Sequence, residues 1–121
     1  MTDQTETRGQ ATAAIAAQND RFRGSLGQDP AVPGRIMLTA GVEARGPGFV
    51  QSALQAVQGF SAFGEDNDPH GERDFGAFGI GGEKLFWKID LYDPAYTYGS
   101  ERPADPARTR RVLTVMFSDE Y

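Results

Sequence analysis

The chain has no cysteine, one histidine and one tryptophan in 121 residues. Without thiols there is no disulfide framework, no thiolate zinc centre and no cysteine nucleophile. A single imidazole also excludes the paired histidines of a His-Glu-x-x-His metal helix. No apolar run approaches the length that spans a bilayer, and the opening MTDQTETRGQ lacks the basic-then-apolar layout of a secretory leader. These absences set a cytoplasmic location as the expectation. There is no Gly-x-Ser-x-Gly elbow, and Ser25, Ser52, Ser61, Ser100 and Ser118 carry no local cue for activation.

Basic side chains are also in deficit. Twelve Lys and Arg stand against 17 Asp and Glu, for a net charge of −5. Binding to a phosphate backbone without sequence preference needs clustered cations that release counterions, so that class is not expected. The opposite behaviour, in which carboxylates imitate phosphates for a nucleic-acid-binding partner, remains compatible. Hydrophobic residues make up 39% and charged residues 24% of the chain, as in ordinary soluble domains. The length suits one hydrophobic core and is too short for two.

The periodicity divides the chain into a frayed tail, residues 1–9, and one domain, residues 10–121. From Gln10 to Phe22 the residues Ala11, Ile15, Gln18 and Phe22 recur at helical spacing. A Pro/Gly connector follows (GQDPAVPG). Arg35 to Val42 then alternates as a strand, with Ile36, Leu38, Ala40 and Val42 on one side. Pro47 suits a first helical turn, and Val50, Ala53, Leu54 and Val57 form an apolar stripe behind it. Phe75–Ile80 and Lys84–Tyr92 read as strands joined at Gly81-Gly82, where positive φ angles serve a tight hairpin. In the returning strand Leu85, Trp87, Ile89 and Leu91 face one side. Lys84, Phe86, Lys88, Asp90 and Tyr92 face the other. Asp105-Pro106 resembles an N-cap and first turn for a helix over 109–117, but the β-branched Val112, Thr114 and Val115 leave a strand open as the alternative. The expected fold is α+β in the order α-β-α-β-β-α: a small antiparallel sheet with a central hairpin at about 75–92 and helices mainly on one face.

Two places offer chemistry. The first is the polar loop, where Glu65, Asp66, Asp68, His70, Glu72 and Asp74 fall within ten positions and Asp90 returns on the next strand. Carboxylates with an imidazole suit a divalent metal or acid/base work, with Asp68, His70, Glu72 and Asp74 as the catalytic set and Asp68, His70, Asp74 and Asp90 as ligands. Their spacing fits neither the calcium loop nor a metalloprotease helix. The bland alternative is a turn held by its own hydrogen bonds, with Arg73 pairing to a carboxylate. The glycines of the hairpin lack the strand-to-helix context of a phosphate cradle. Arg108, Arg110 and Arg111 form a short basic cluster that could grip an acid patch or a phosphate, and a solvated face near Asp105 explains it equally well. The second place is aromatic: Phe86, Tyr92, Tyr96 and Tyr98, with Phe78 a further candidate, form either a partner-binding patch or a second small core.

The blocks GRIMLTAGV (Gly34–Val42), NDPHGERDFGAF (Asn67–Phe78), KLFWKIDLYD (Lys84–Asp93) and DPARTRRVLTVMFSDEY (Asp105–Tyr121) resemble the bacterial family labelled domain of unknown function 3768. The resemblance transfers no catalytic residue, because that family has no assigned activity. It implies association with plasmids and integrated elements, near conjugation and antirestriction genes. It also implies a histidine at the position of Arg73 in many members, and the loss of that second imidazole here weakens a metal site.

The expectation is therefore a small, acidic, non-enzymatic binding protein without a cofactor. It would be a counter-defence inhibitor of the anti-CRISPR or antirestriction type, contacting a host nucleic-acid-binding complex. The contact residues would be Glu65, Asp66, Asp68, Glu72, Phe86, Tyr92, Tyr96 and Tyr98. The alternative is a metal-dependent hydrolase or nuclease built on the loop 65–74, and a third reading is a subunit of a larger assembly.

Overall fold

A computed structural model describes residues 7–121, so the expected tail lies outside the described residues as far as residue 6. Thr7 already belongs to the fold. Its hydroxyl accepts from Gln10 N at 3.0 Å while Gln10 Oε1 accepts from Thr7 N, a reciprocal cap that starts helix α1, Arg8–Ser25. Leu26, at φ 49°, and Gly27 close the other end by donating to the carbonyls of Arg23 and Phe22.

Strand β1 spans Gly34–Leu38 and is shorter than the alternation implies. Thr39 gives its amide to Val115 as the last sheet bond, then caps a single helical turn, α2 (Ala40–Glu43), through Oγ1 to Val42 N. Val42 is buried as expected, but from a helix. Helix α3 (Pro47–Gln58) begins at Pro47 after Gly46, whose φ of 92° suits glycine.

Strands β2 (Phe75–Ile80) and β3 (Glu83–Tyr92) form the hairpin. The last strand is β4, Arg110–Phe117, and not the helix that Asp105-Pro106 suggests; those residues start only a short 3-10 turn, Pro106–Arg108. The β-branched residues won because β4 sits inside the sheet, pairing antiparallel to β3 and parallel to β1. The sheet order is β1-β4-β3-β2. The fold is α+β, with a mixed sheet in place of a purely antiparallel one. The hairpin occupies one side of that sheet, with β2 at its edge.

Parity divides the sheet into two faces. Ile36, Leu38, Leu85, Trp87, Ile89, Leu113 and Val115 pack with Phe22, Val42, Ala53 and Val57 in one core under the helices. The other face carries Arg35, Met37, Phe75, Phe86, Lys88, Asp90, Tyr92, Arg110, Thr114 and Met116; among the described residues no α-helix packs on it, and the short 3-10 turn Ser118–Glu120 meets β3.

Two charged residues lie deep on the helix side. Arg23 sits 4.9 Å over the Trp87 ring and 5.1 Å over Phe63, and bonds Asp20 and the Phe60 carbonyl. Arg111, expected in an accessible basic cluster, is fully buried. A strand turns neighbouring residues to opposite faces, so Arg110 goes outward and Arg111 goes inward. It donates Nε to Asn19 Oδ1 at 2.8 Å and Nη2 to Gln18 Oε1 at 3.0 Å, with no carboxylate partner among the described residues. Burial lowers its pKa to about 10, which still leaves it charged at neutral pH.

Candidate functional site

The polar loop is tied into a self-bonded turn. Gly64 N donates to Asn67 Oδ1 (2.7 Å) and Asn67 Nδ2 to Ala62 O (2.6 Å). Asp68 Oδ1 accepts from Arg73 N at 3.0 Å, and Gly71 N donates to the Asp68 carbonyl. Arg73 takes a left-handed φ of 56° and reaches across to Asp20 on α1 at 2.8 Å, so the carboxylate it pairs with is distant in sequence. The same Asp20 also holds Arg23. Asn19 Nδ2 donates to the Glu72 carbonyl at 2.9 Å, a second link from loop to helix.

Within this frame the candidate acids stand near one another without converging. Glu65, Asp66 and His70 are exposed, while Asp68, Glu72 and Asp74 are half-buried. Desolvation, reinforced by neighbouring carboxylates, raises the pKa of Glu72 and of Asp74. Asp90 projects from the helix-free face, where Lys88 Nζ donates to it at 2.7 Å. That pairing raises the Lys88 pKa. Among the described residues, no three His, Asp or Glu side chains form a set able to hold a metal ion. The proposed ligand group Asp68, His70, Asp74 and Asp90 is not assembled.

The aromatic candidates divide as well. Phe86 lies at the helix-free face with Phe75 at 5.0 Å and Tyr121 at 5.6 Å, measured between ring centroids. Tyr92 is half-buried at the end of β3, beside Arg110 in the register. Tyr96, at φ 58°, brings its ring under the Arg35 guanidinium at 3.7 Å and so reaches the far edge of the same face. Tyr98 is 74% exposed and lines a hollow of about 320 Å³ with Asp93, Glu101, Arg102 and Arg108. Phe78 belongs to the helix side, packed against the core. Thus Phe86, Tyr92 and Tyr96 share one surface, whereas Tyr98 and the loop acids lie outside that row.

A family model described as "Protein of unknown function (DUF3768)" matches residues 38–120. The chain belongs to the DUF3768 family. No curated protein and no solved structure is detectably similar to it. For this DUF3768 chain the site must therefore be argued from its own geometry. No helix among the described residues is long and apolar enough to cross a membrane.

Sequence reasoning missed several residues of the helix-free face. Arg35 and Met37 were legible from the alternation of β1, which puts them opposite Ile36 and Leu38. Phe75 was legible in the same way from β2. Tyr121 was not, because only the return of the chain after β4 lays its ring against Phe75 and Phe86.

Proposed function

We propose that this DUF3768 chain is a non-enzymatic binding protein whose contact surface is the helix-free face of its sheet. The observation that carries the reading is that face itself. It presents Phe75, Phe86, Tyr92, Tyr96 and Tyr121, with Met37 50% and Tyr121 76% exposed and, among the described residues, no α-helix over them. Arg35, Lys88 and Arg110 stand among the rings. Aromatic, methionine and arginine side chains are the ones enriched at protein interfaces, because they bury large area at low entropy cost. The loop acids Glu65 and Asp66 are exposed beyond its edge and supply the negative charge that a nucleic-acid-binding partner would meet. A counter-defence inhibitor is the narrower form of the proposal.

Capture of host proteins on the immobilised chain, followed by titration calorimetry with the recovered partner, tests it. Truncating an aromatic anchor of an interface costs on the order of 2 kcal/mol, which is about 30-fold in affinity. Tyr92→Ala combined with Met37→Glu should weaken binding by at least that factor at a temperature where circular dichroism shows the variant folded, since half-buried Tyr92 also contributes to stability. Unchanged affinity would move the interface elsewhere. The narrower form predicts that expression of the chain relieves restriction or CRISPR interference in a plaque assay, and that the double variant does not.

The second reading, a hydrolase at 65–74, draws on the raised pKa values of Glu72 and Asp74 in one half-buried neighbourhood. Heat from Mg²⁺, Mn²⁺ or Zn²⁺ that disappears in Asp74→Asn would favour it over the binding reading.

A further inference from the structure

The sheet ends in a strand with none of the usual edge protection. β2 reads FGAFGI, with no charge, proline or bulge. β1, at the opposite edge, carries Arg35 and directly follows Pro33. Ile89 N donates to the Asp74 carbonyl at 2.8 Å, and this sets the phase of the hairpin ladder. Alternation then directs the amides and carbonyls of Gly76, Phe78 and Ile80 inward to β3, and those of Phe75, Ala77 and Gly79 outward. Among the described residues no backbone or side-chain hydrogen bond reaches those outward groups. Ala77 and Gly79 are exposed, so the edge is accessible.

We propose that β2 is the seam of a symmetric dimer, in which the β2 strands of two copies pair antiparallel about Ala77 and join two sheets into one. A two-fold axis perpendicular to the sheet keeps both helix layers on the same side, so facing residues must share parity. Pairing Ala77 with its own copy meets that condition. It also sets Phe75 opposite Gly79 and Gly76 opposite Phe78, so each ring lies over a glycine and neither ring meets the other. Each outward amide finds a carbonyl, since Ala77 exchanges bonds with its counterpart and Phe75 exchanges them with Gly79. At the flanks Asp74 falls opposite Ile80 and Arg73 opposite Gly81, so no like charges meet. A slip of one residue would present inward-turned groups at the seam and break the parity. The contact is isologous and closes at two copies. It uses the strand edge and leaves the helix-free face available, so it stands or falls apart from the binding role proposed above.

Sedimentation and light scattering of the purified chain across micromolar to millimolar concentration should show a mass rising from 13.1 kDa to twice that value and no further. Ala77→Pro removes an amide that the monomer does not use, at an edge position where proline is tolerated, and should hold the mass at the monomer value with an unchanged circular dichroism spectrum. Ala77→Cys provides an independent readout in a chain with no other thiol. Hydrogen-bonded antiparallel partners have Cα atoms about 5.5 Å apart, within the range a disulfide spans, so mild oxidation should cross-link two copies through residue 77. Ser52→Cys, exposed on α3, is the control and should cross-link far more slowly. A monomer at every concentration would overturn the proposal. So would open-ended growth, or Ala77→Cys cross-linking no faster than Ser52→Cys.

Discussion

Gly76 on β2 lies against the indole of Trp87, and a single methyl group there tests the packing that supports both sheet faces. A Cβ at residue 76 would stand 2.4 Å from Trp87 Nε1, 2.8 Å from Trp87 Cε2 and 2.7 Å from Phe60 Cζ. None of these atoms is the loose end of a flexible chain. Trp87 is fully buried, with Phe60 edge-on at 5.5 Å, Phe63 at 6.1 Å and the Arg23 guanidinium over its ring. Overpacking a rigid site of this kind costs about 1–3 kcal/mol. The loss of unfolded-state freedom on replacing glycine returns about 0.4–1 kcal/mol of that. Gly76→Ala should therefore lower stability by about 1–2 kcal/mol, or on the order of 4–8 °C in Tm for a domain of this size. Thermal unfolding followed by circular dichroism gives the midpoint. Fluorescence reports the same site, because Trp87 is the only tryptophan. Gly79→Ala on the same strand is the control: its Cβ would meet only the Glu83 carbonyl, at 3.6 Å, and the variant should melt at or slightly above the parent. Equal midpoints for the two variants would refute the idea that the indole is fixed against the β2 backbone.

Asn19→Ala removes the acceptor of the buried Arg111 Nε and the donor to the Glu72 carbonyl, so it should cost about 2–4 kcal/mol, read as a lower urea midpoint with unchanged m. The raised pKa of Asp74 means that the folded state binds its proton more tightly than the unfolded chain does. This group therefore adds stability as pH falls through its folded pKa toward the ordinary carboxylate value, and opposes folding above that window. Asp74→Asn should be more stable than the parent at neutral pH, with the difference shrinking on acidification in Tm measured against pH. A difference that grew on acidification would reverse the assignment.

The strong periodicities survive in the structure. Lys84–Tyr92 buries Leu85, Trp87 and Ile89 as its alternation requires, and Pro47 opens α3 over Ala53 and Val57. The alternation after Leu38 was misleading, because Thr39 offers the backbone a helical cap that period-two counting does not see. The Asp105-Pro106 signal likewise governs only its own turn, since Thr109–Phe117 satisfies both a 3.6 and a 2.0 period and the vacancy between β1 and β3 chose between them. For the candidate site, residue types were legible and distances were not. Asp90 and Asp74 look like neighbours along the hairpin, yet Lys88 engages Asp90 on the helix-free face.

Local rules sufficed to fix the class of the fold, the exclusion of thiol chemistry, the hairpin and the inward row of β3, because each depends on residues a few positions apart. Tertiary structure alone decided that Arg111 is buried against Gln18 and Asn19, that Arg73 reaches Asp20, and that Tyr96 and Tyr121 join Phe86 on one face. Each of those contacts closes a long loop whose entropy cost is met only when the whole core forms, so no short window of sequence records it.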